Sequence, residues 1–342
     1  MKEVLGSRRS PPGDSVTCFV TERRATRRGG ARGGKRARGK TNETAPEECN
    51  GTLETSSEKM SCWQERYALS TSLFQDICIE EALAKIAAAG FKHLEMTANG
   101  VHLDPRVSPD TRAVRSQMEG LGLEAYSIHT PYTGLKIGHP GVELSESHPE
   151  AVRASLEIGA QVGAKMAIVH ATAAPKGLSD DMYERSREVS MAFIEELQDR
   201  ASELGIRLVL ENLGLRPHLR RRFGSSLEEL SEALPDPEIG FCLDVGHALR
   251  NGLDTGSQIE AVGDRLVCLH LHSNDGVGDC HWLPNQGLLD WQKIRAELRG
   301  SGYAGRYVME IRRGAEPDDL LCQAAAFAQT DAGLDQASTR HN

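Results

Sequence analysis

No apolar run in the sequence approaches the roughly 20 residues that a membrane-spanning helix needs. No apolar stretch of the signal-peptide kind opens it either, so a cytoplasmic protein is the expectation. The eight cysteines include no Cys-x-x-Cys pair and no disulfide-like spacing. Cys242 and Cys268 fall inside apolar runs, where a free thiol behaves as a small hydrophobe, and a reducing compartment fits this usage. A Gly-rich phosphate fingerprint is missing after the first candidate strand, which argues against an open nucleotide-binding sheet. Positive charge is scarce where the chain reads as folded. Residues 1–60 hold 13 Lys and Arg against 8 Asp and Glu, whereas residues 61–342 hold 27 against 41, a net of −14. Such an acidic body opposes tight, salt-dependent binding to a nucleic-acid backbone.

Residues 1–62 are poor in apolar side chains and include RRGGARGGKRARGK (27–40). They read as a disordered Arg/Gly-rich extension. It is either a nucleic-acid-contacting arm or, the preferred reading, a dispensable solvated segment. Residues 331–342 read as a flexible C-terminal tail, which leaves 63–330 for the fold.

Within 63–330, six short apolar runs each stop on a residue able to bind a metal. They are LEAYSI before His129, KMAIV before His170, IRLVL before Glu211, IGFCL before Asp244, LVCL before His270 and RYVM before Glu310. A parallel strand buried on both faces reads as a continuous apolar run, which these do. YALSTS and FKHLEM supply two earlier strands. Helical spacing fills the intervals, as in IEEALAKIAAAG and DDMYERSREVSMAFIEELQDRASELG, and Gly90, Gly163 and Gly205 close helical stretches. Eight strand–helix alternations over about 260 residues predict a (β/α)8 TIM barrel. The strand ends would then converge on one mouth, where barrel enzymes place their chemistry.

Two further pairs lie near that mouth. CLDVGHAL sets Asp244 and His247 three residues apart, and HSNDGVGDCHWLPNQG sets Asp279 and His281 two apart. Carboxylates mixed with imidazoles suit zinc, manganese, iron or cobalt, whereas carboxylates alone would suit magnesium or calcium. Glu211 could bridge two ions. His272, two residues beyond His270 and so on the same strand face, could replace it as a ligand. His93, His102, His139, His148, His218 and His341 read as structural or surface residues. Arg216, Arg220, Arg221 and Arg222 follow the fifth strand and could hold a phosphate or carboxylate.

The order of these elements resembles the xylose isomerase-like barrel superfamily over about residues 66–325. That group includes sugar isomerases, ketose 3-epimerases, hydroxypyruvate isomerase, inosose dehydratase and abasic-site nucleases of the endonuclease IV type. The pieces that carry the resemblance are LVLEN (208–212), CLDVGH (242–247), LHLHSND (269–275) with the following DCH, and VMEI (308–311). The epimerase pattern implies one divalent ion held by Glu211, Asp244, His270 and Glu310. The endonuclease pattern implies three zinc ions: one on His129, His170 and Glu211, a second on the same four residues, and a third on His247, Asp279 and His281. All nine positions carry a suitable residue, and Tyr132 also has a counterpart in the nuclease family. The resemblance thus implies one to three divalent ions, whether manganese, magnesium, zinc, iron or cobalt.

The leading expectation is an isomerase or epimerase of a small sugar, sugar phosphate or related hydroxy-carbonyl compound. Glu211 and Glu310 would transfer the proton through a metal-stabilised enediolate. Tyr132, Arg216 and Arg312 are the expected substrate-binding residues. The alternative is a multi-zinc phosphodiester hydrolase acting on abasic DNA. A non-enzymatic sensor is disfavoured by the intact ligand set. The expected partner is a carbohydrate-like small molecule. The acidic barrel disfavours nucleic acid, no membrane is implied, and self-association is left open.

Overall fold

Strands apolar on both faces can only be satisfied between two layers of packing, and in this chain they close on themselves. The computed structural model describes residues 63–138, 149–173, 182–215, 221–312 and 315–339. Eight parallel strands pair in sequence order: β1 (Tyr67–Ser70), β2 (His93–Thr97), β3 (Glu124–His129), β4 (Met166–His170), β5 (Arg207–Glu211), β6 (Gly240–Asp244), β7 (Leu266–Leu271) and β8 (Arg306–Met309). The last returns to the first, with Tyr67 opposite Tyr307 and Leu69 opposite Met309, so the sheet is a closed barrel. The (β/α)8 expectation holds, and all six ligand-terminated runs are strands. Residues 1–62, Arg216 and the histidines at 139, 148, 218 and 341 lie outside the described residues.

Alternation along the strands divides the core in two. Ala68, Tyr126, Met166, Ile168, Val209, Cys242, Cys268 and Val308 fill the interior of the barrel. Leu69, Leu94, Ile128, Leu208, Phe241 and Leu269 point outward and are covered by helices. Both barrel cysteines are therefore free, buried filler. The covering helices are α1 (Ile79–Ala88), α2 (Thr111–Leu121), α3 (Glu150–Val162), α4 (Tyr183–Leu204), α5 (Leu227–Ala233), α6 (Val245–Asn251), α7 (Thr255–Val262), α8 (Trp291–Gly300) and α9 (Pro317–Thr339). Gly163 and Gly205 close α3 and α4 with φ of 89° and 66°, a left-handed conformation that glycine adopts without a Cβ clash. Among the described residues no helix is long and apolar enough to cross a membrane.

Two boundaries differ from the sequence reading. YALSTS is strand only to Ser70, because the Ser70 hydroxyl then accepts from the Ser72 amide and starts a 3-10 turn over Thr71–Phe74. At the other end, α9 runs past residue 330, and Asp331 is buried rather than part of a tail. Its carboxylate accepts from the Tyr67 hydroxyl at 2.7 Å, the Trp291 indole at 2.9 Å and Arg295 at 2.7 Å. It therefore ties β1, α8 and α9 together beside the β1–β8 closure.

Candidate metal centre

Each parallel strand delivers its final residues to the same rim. His129, His170, Glu211 and Asp244 are the last residues of β3 to β6, His270 is the penultimate residue of β7, and Glu310 follows β8 directly. Glu211, Asp244 and His270 are almost wholly buried, as is Glu310. Each of these four offers a ligand atom within 4.8 Å of the others.

Two further groups flank the four. The Glu211 Oε2 lies 3.2 Å from His129 Nε2 and 3.1 Å from His170 Nε2. Its Oε1 lies 3.5 Å from His270 Nδ1, so this one carboxylate faces two clusters. On the other flank, Asp279 Oδ1 lies 3.5 Å from His247 Nε2 and 3.3 Å from His281 Nε2. His272 does not replace His270. It sits 3.0 Å from the Asp244 carboxylate and stacks on the His281 ring at 4.0 Å, adding an imidazole to this second flank. Gly246 makes room for it, since a Cβ there would lie 2.0 Å from His272 Cε1.

Three of the rings are turned alike. His129 Nδ1 donates to the Thr130 carbonyl at 2.8 Å, His247 Nδ1 to Asn212 at 2.9 Å and His281 Nδ1 to Glu310 at 2.7 Å. A ring anchored through Nδ1–H presents Nε2 to the centre, as a metal-binding imidazole does. His270 is inverted. Its Nε2 meets Glu95 Oε2 at 2.9 Å, while its buried Nδ1 makes no hydrogen bond and lies 3.5 Å from both Glu211 and Glu310. A buried nitrogen lone pair among three carboxylates is costly unless a cation joins them, and this N/O set fits a divalent one.

The electrostatics point the same way. Burial opposes ionisation of Glu211, but His270, His170 and His129 outweigh it and hold its carboxyl well below the usual range. Burial also works against Glu310, yet His281, Arg312 and His270 bring it down to about 2. His129 is raised to about 9, because its contacts with Glu211 overcome the desolvation that would lower it. For His170, burial dominates and the pKa is lowered.

Of the residues expected to bind substrate, Tyr132 and Arg312 reach the mouth together. Arg312 donates to the Tyr132 hydroxyl at 2.9 Å, and its second nitrogen lies 2.5 Å from His281 Nε2 and 3.2 Å from Glu310. The arginine cluster after β5 behaves differently from its sequence reading, in the part that is described. Arg222 is buried, with its guanidinium on Thr172 Oγ1, the Thr172 carbonyl and the Gly214 carbonyl. Arg221 covers the Tyr183 ring at 3.8 Å. Arg222 is thus committed to holding loops, while Arg221 lies exposed against the start of α4. His93 lies between Glu65 and Arg306, and His102 lies against Thr71, both as structural residues.

Two participants carry no functional assignment in the sequence reading. Glu95, on β2, touches His270 from beneath. Asn212 accepts from the Asp244 amide at 2.7 Å, donates to the Asp244 carbonyl at 3.0 Å, and lends its own carbonyl to His247. The signal for Glu95 is a lone carboxylate between Leu94 and Met96 inside FKHLEM.

A family model described as the xylose isomerase-like TIM barrel matches residues 83–330. The chain belongs to this family. Among its curated relatives is an uncharacterized protein of Methanocaldococcus jannaschii, 23% identical over 278 residues, covering 78% of this chain and 92% of the relative. A protein named probable endonuclease 4, from Mycobacterium marinum, is 25% identical over 224 residues and covers 62% of this chain and 82% of its own. Among solved structures, a D-tagatose 3-epimerase-like protein superposes with a TM-score of 0.66 at 18% identity, over 79% of this chain and 99% of that one. That likeness speaks to the fold.

Proposed function

We propose that this family member is a divalent-metal-dependent isomerase or epimerase of a small hydroxy-carbonyl compound. The observation that carries this reading is a cleft of about 390 Å³ over the Asp279–His281 flank. It is walled mostly by polar side chains, among them Ser72, Gln75, Asp76, Tyr132, His281 and Arg312, the last of which also meets Glu310. Small-molecule sites run from about 300 to 1,000 Å³, and these polar walls suit a hydroxylated compound. A divalent ion held by Glu211, Asp244, His270 and Glu310 would polarise a substrate carbonyl. Glu211 and Glu310 are ionised at neutral pH by their cationic surroundings, so each enters the reaction as a base. In an isomerisation, one takes the proton next to the carbonyl and returns it to the neighbouring carbon. In an epimerisation that proton must first pass to the opposite carboxylate, which then delivers it from the other face. Arg312, braced by Tyr132, holds an anionic or hydroxyl-bearing end of the substrate. The likeness to solved sugar 3-epimerases adds support.

The test is solvent exchange. Metal-loaded protein in heavy water, offered ketoses, aldoses and their phosphates, should place deuterium on the carbon beside the carbonyl of at least one compound. Absence of exchange across the panel sinks the proposal.

A second reading, phosphodiester hydrolysis, draws on the gathering of His129 and His170 on one flank and His247, Asp279 and His281 on the other. The relative named probable endonuclease 4 adds to it. Two observations weigh against it. Arg312 already presses a positive charge against His281 Nε2. The acidic body would repel a duplex. Nicking of an abasic duplex in the presence of zinc would transfer the assignment to this reading.

A further inference from the structure

Glu95 is a fully buried carboxylate on β2, across the barrel from β7. In the register of the sheet it lies between Ser70 on β1 and Ser127 on β3. Its Oε2 accepts from Ser127 Oγ at 3.0 Å and from His270 Nε2 at 2.9 Å, and its Oε1 has no hydrogen-bond partner. Among the described residues its one ion-pair partner is His270. Taking a carboxylate out of water costs several kcal/mol unless a charge repays it. No arginine or lysine does so here, and His270 can do so only as a cation itself or as the ligand of one.

The imbalance resolves if the imidazole is itself bound to a cation on its other side. The rings at 129, 247 and 281 are anchored by backbone carbonyls through Nδ1 and offer Nε2. His270, like His272 on Asp244, is anchored by a carboxylate through Nε2, and it is the ring whose Nδ1 faces Glu211, Asp244 and Glu310. We propose that Glu95 is a positioning residue for the metal centre. It fixes His270 as the Nε2–H tautomer, aims Nδ1 into the four-ligand group, and makes this ring the most strongly donating imidazole of the set. The proposal rests on the reading that Glu211, Asp244, His270 and Glu310 hold a divalent ion. It concerns the strength and geometry of the site rather than the reaction run there.

Competition with a chromophoric chelator for zinc or cobalt tests it on the full chain. Glu95→Gln keeps the size of the side chain and removes its charge. Loss of such a partner weakens metal binding by about 10- to 100-fold. The visible spectrum of the cobalt form should shift as well, because the donor strength of one ligand has changed. Circular dichroism of the metal-free variant should match the wild type. Affinity within about twofold of wild type, with an unchanged cobalt spectrum, overturns the role of Glu95 while leaving the metal site standing. Failure of the wild-type protein to take up any divalent ion overturns both.

Should Glu95→Gln not fold, nitrogen-15 histidine spectra of the zinc-loaded wild type decide the matter. His270 must carry its proton on Nε2 and show the metal-induced shift on Nδ1. The opposite assignment refutes the proposal.

Discussion

Glu310 follows β8 directly, its carboxyl drawn down to about 2 by His281, Arg312 and His270 despite burial. It is therefore charged at every working pH and available as a base. Replacing it with Gln should lower solvent-deuterium exchange by roughly 10²- to 10⁴-fold, the usual contribution of a positioned acid–base group, as read by mass spectrometry of the substrate. His129 leads to a second expectation. Glu211 holds its pKa up at about 9, while a metal takes only the neutral ring. Below pH 9 a proton must leave this ring before a cation can use it. The affinity of the His129–His170–Glu211 flank for a second ion should consequently climb with pH by up to about tenfold per unit and level off near pH 9. Calorimetry in buffers of different ionisation enthalpy counts the released proton, and an affinity flat from about pH 6 to pH 9 would contradict the competition. At this scale the sequence was most legible where ligands end uniform apolar runs. Glu95 was hidden because its strand continues to Thr97, so a carboxylate aimed at the site stands mid-run rather than at its end. Arg222 misled for the opposite reason: a loop arginine at the mouth reads as a binder, yet three oxygen acceptors bury it.

Elements were easier to read than their ends. The eight strands and the helices between them follow from apolar runs alternating with 3.6-residue spacing, and no long-range information is needed to see them. Boundaries depend on contacts that the local pattern does not contain. β1 stops at Ser70 because a hydroxyl caps the next turn, and α9 continues beyond 330 because Asp331 meets partners from β1 and α8. The latter contact has a measurable weight. Asp331→Ala removes the acceptor of three buried donors and the counter-ion of the buried Arg295. Breaking such a pair from one side costs about 3–5 kcal/mol. Urea unfolding should show a loss of this size, and a change below about 1 kcal/mol would mean that Asp331 merely fills space.

For the molecule as a whole, the candidate ligands come from β3 to β8 and the loops that follow them, so a bound ion would fasten most of the barrel at once. Anything that binds the folded state alone stabilises it by mass action, by about 4 kcal/mol at a thousandfold excess over Kd. For a domain of this size that corresponds to a rise in Tm on the order of 10 °C. Scanning calorimetry before and after chelation should show this difference, with recovery on adding back zinc, manganese or cobalt. An unchanged Tm would mean that the gathered ligands hold nothing.

The arrangement around Asp331 also gives the protein a set of optical reporters. The chain has three tryptophans, and they stand in three different places. Trp63 packs edge-on against Phe91 just ahead of β1, and Trp282 pairs with Ser273 in the loop that carries Asp279 and His281. Trp291 donates to Asp331 and meets Tyr307 edge-on, directly beside the line where the first and last strands join. With one tryptophan retained at a time, emission from Trp291 would time the closing of the barrel, and emission from Trp282 the ordering of its mouth. Whether the mouth takes shape with the barrel or only after a metal arrives thus becomes a question for two emission traces, one from each single-tryptophan variant.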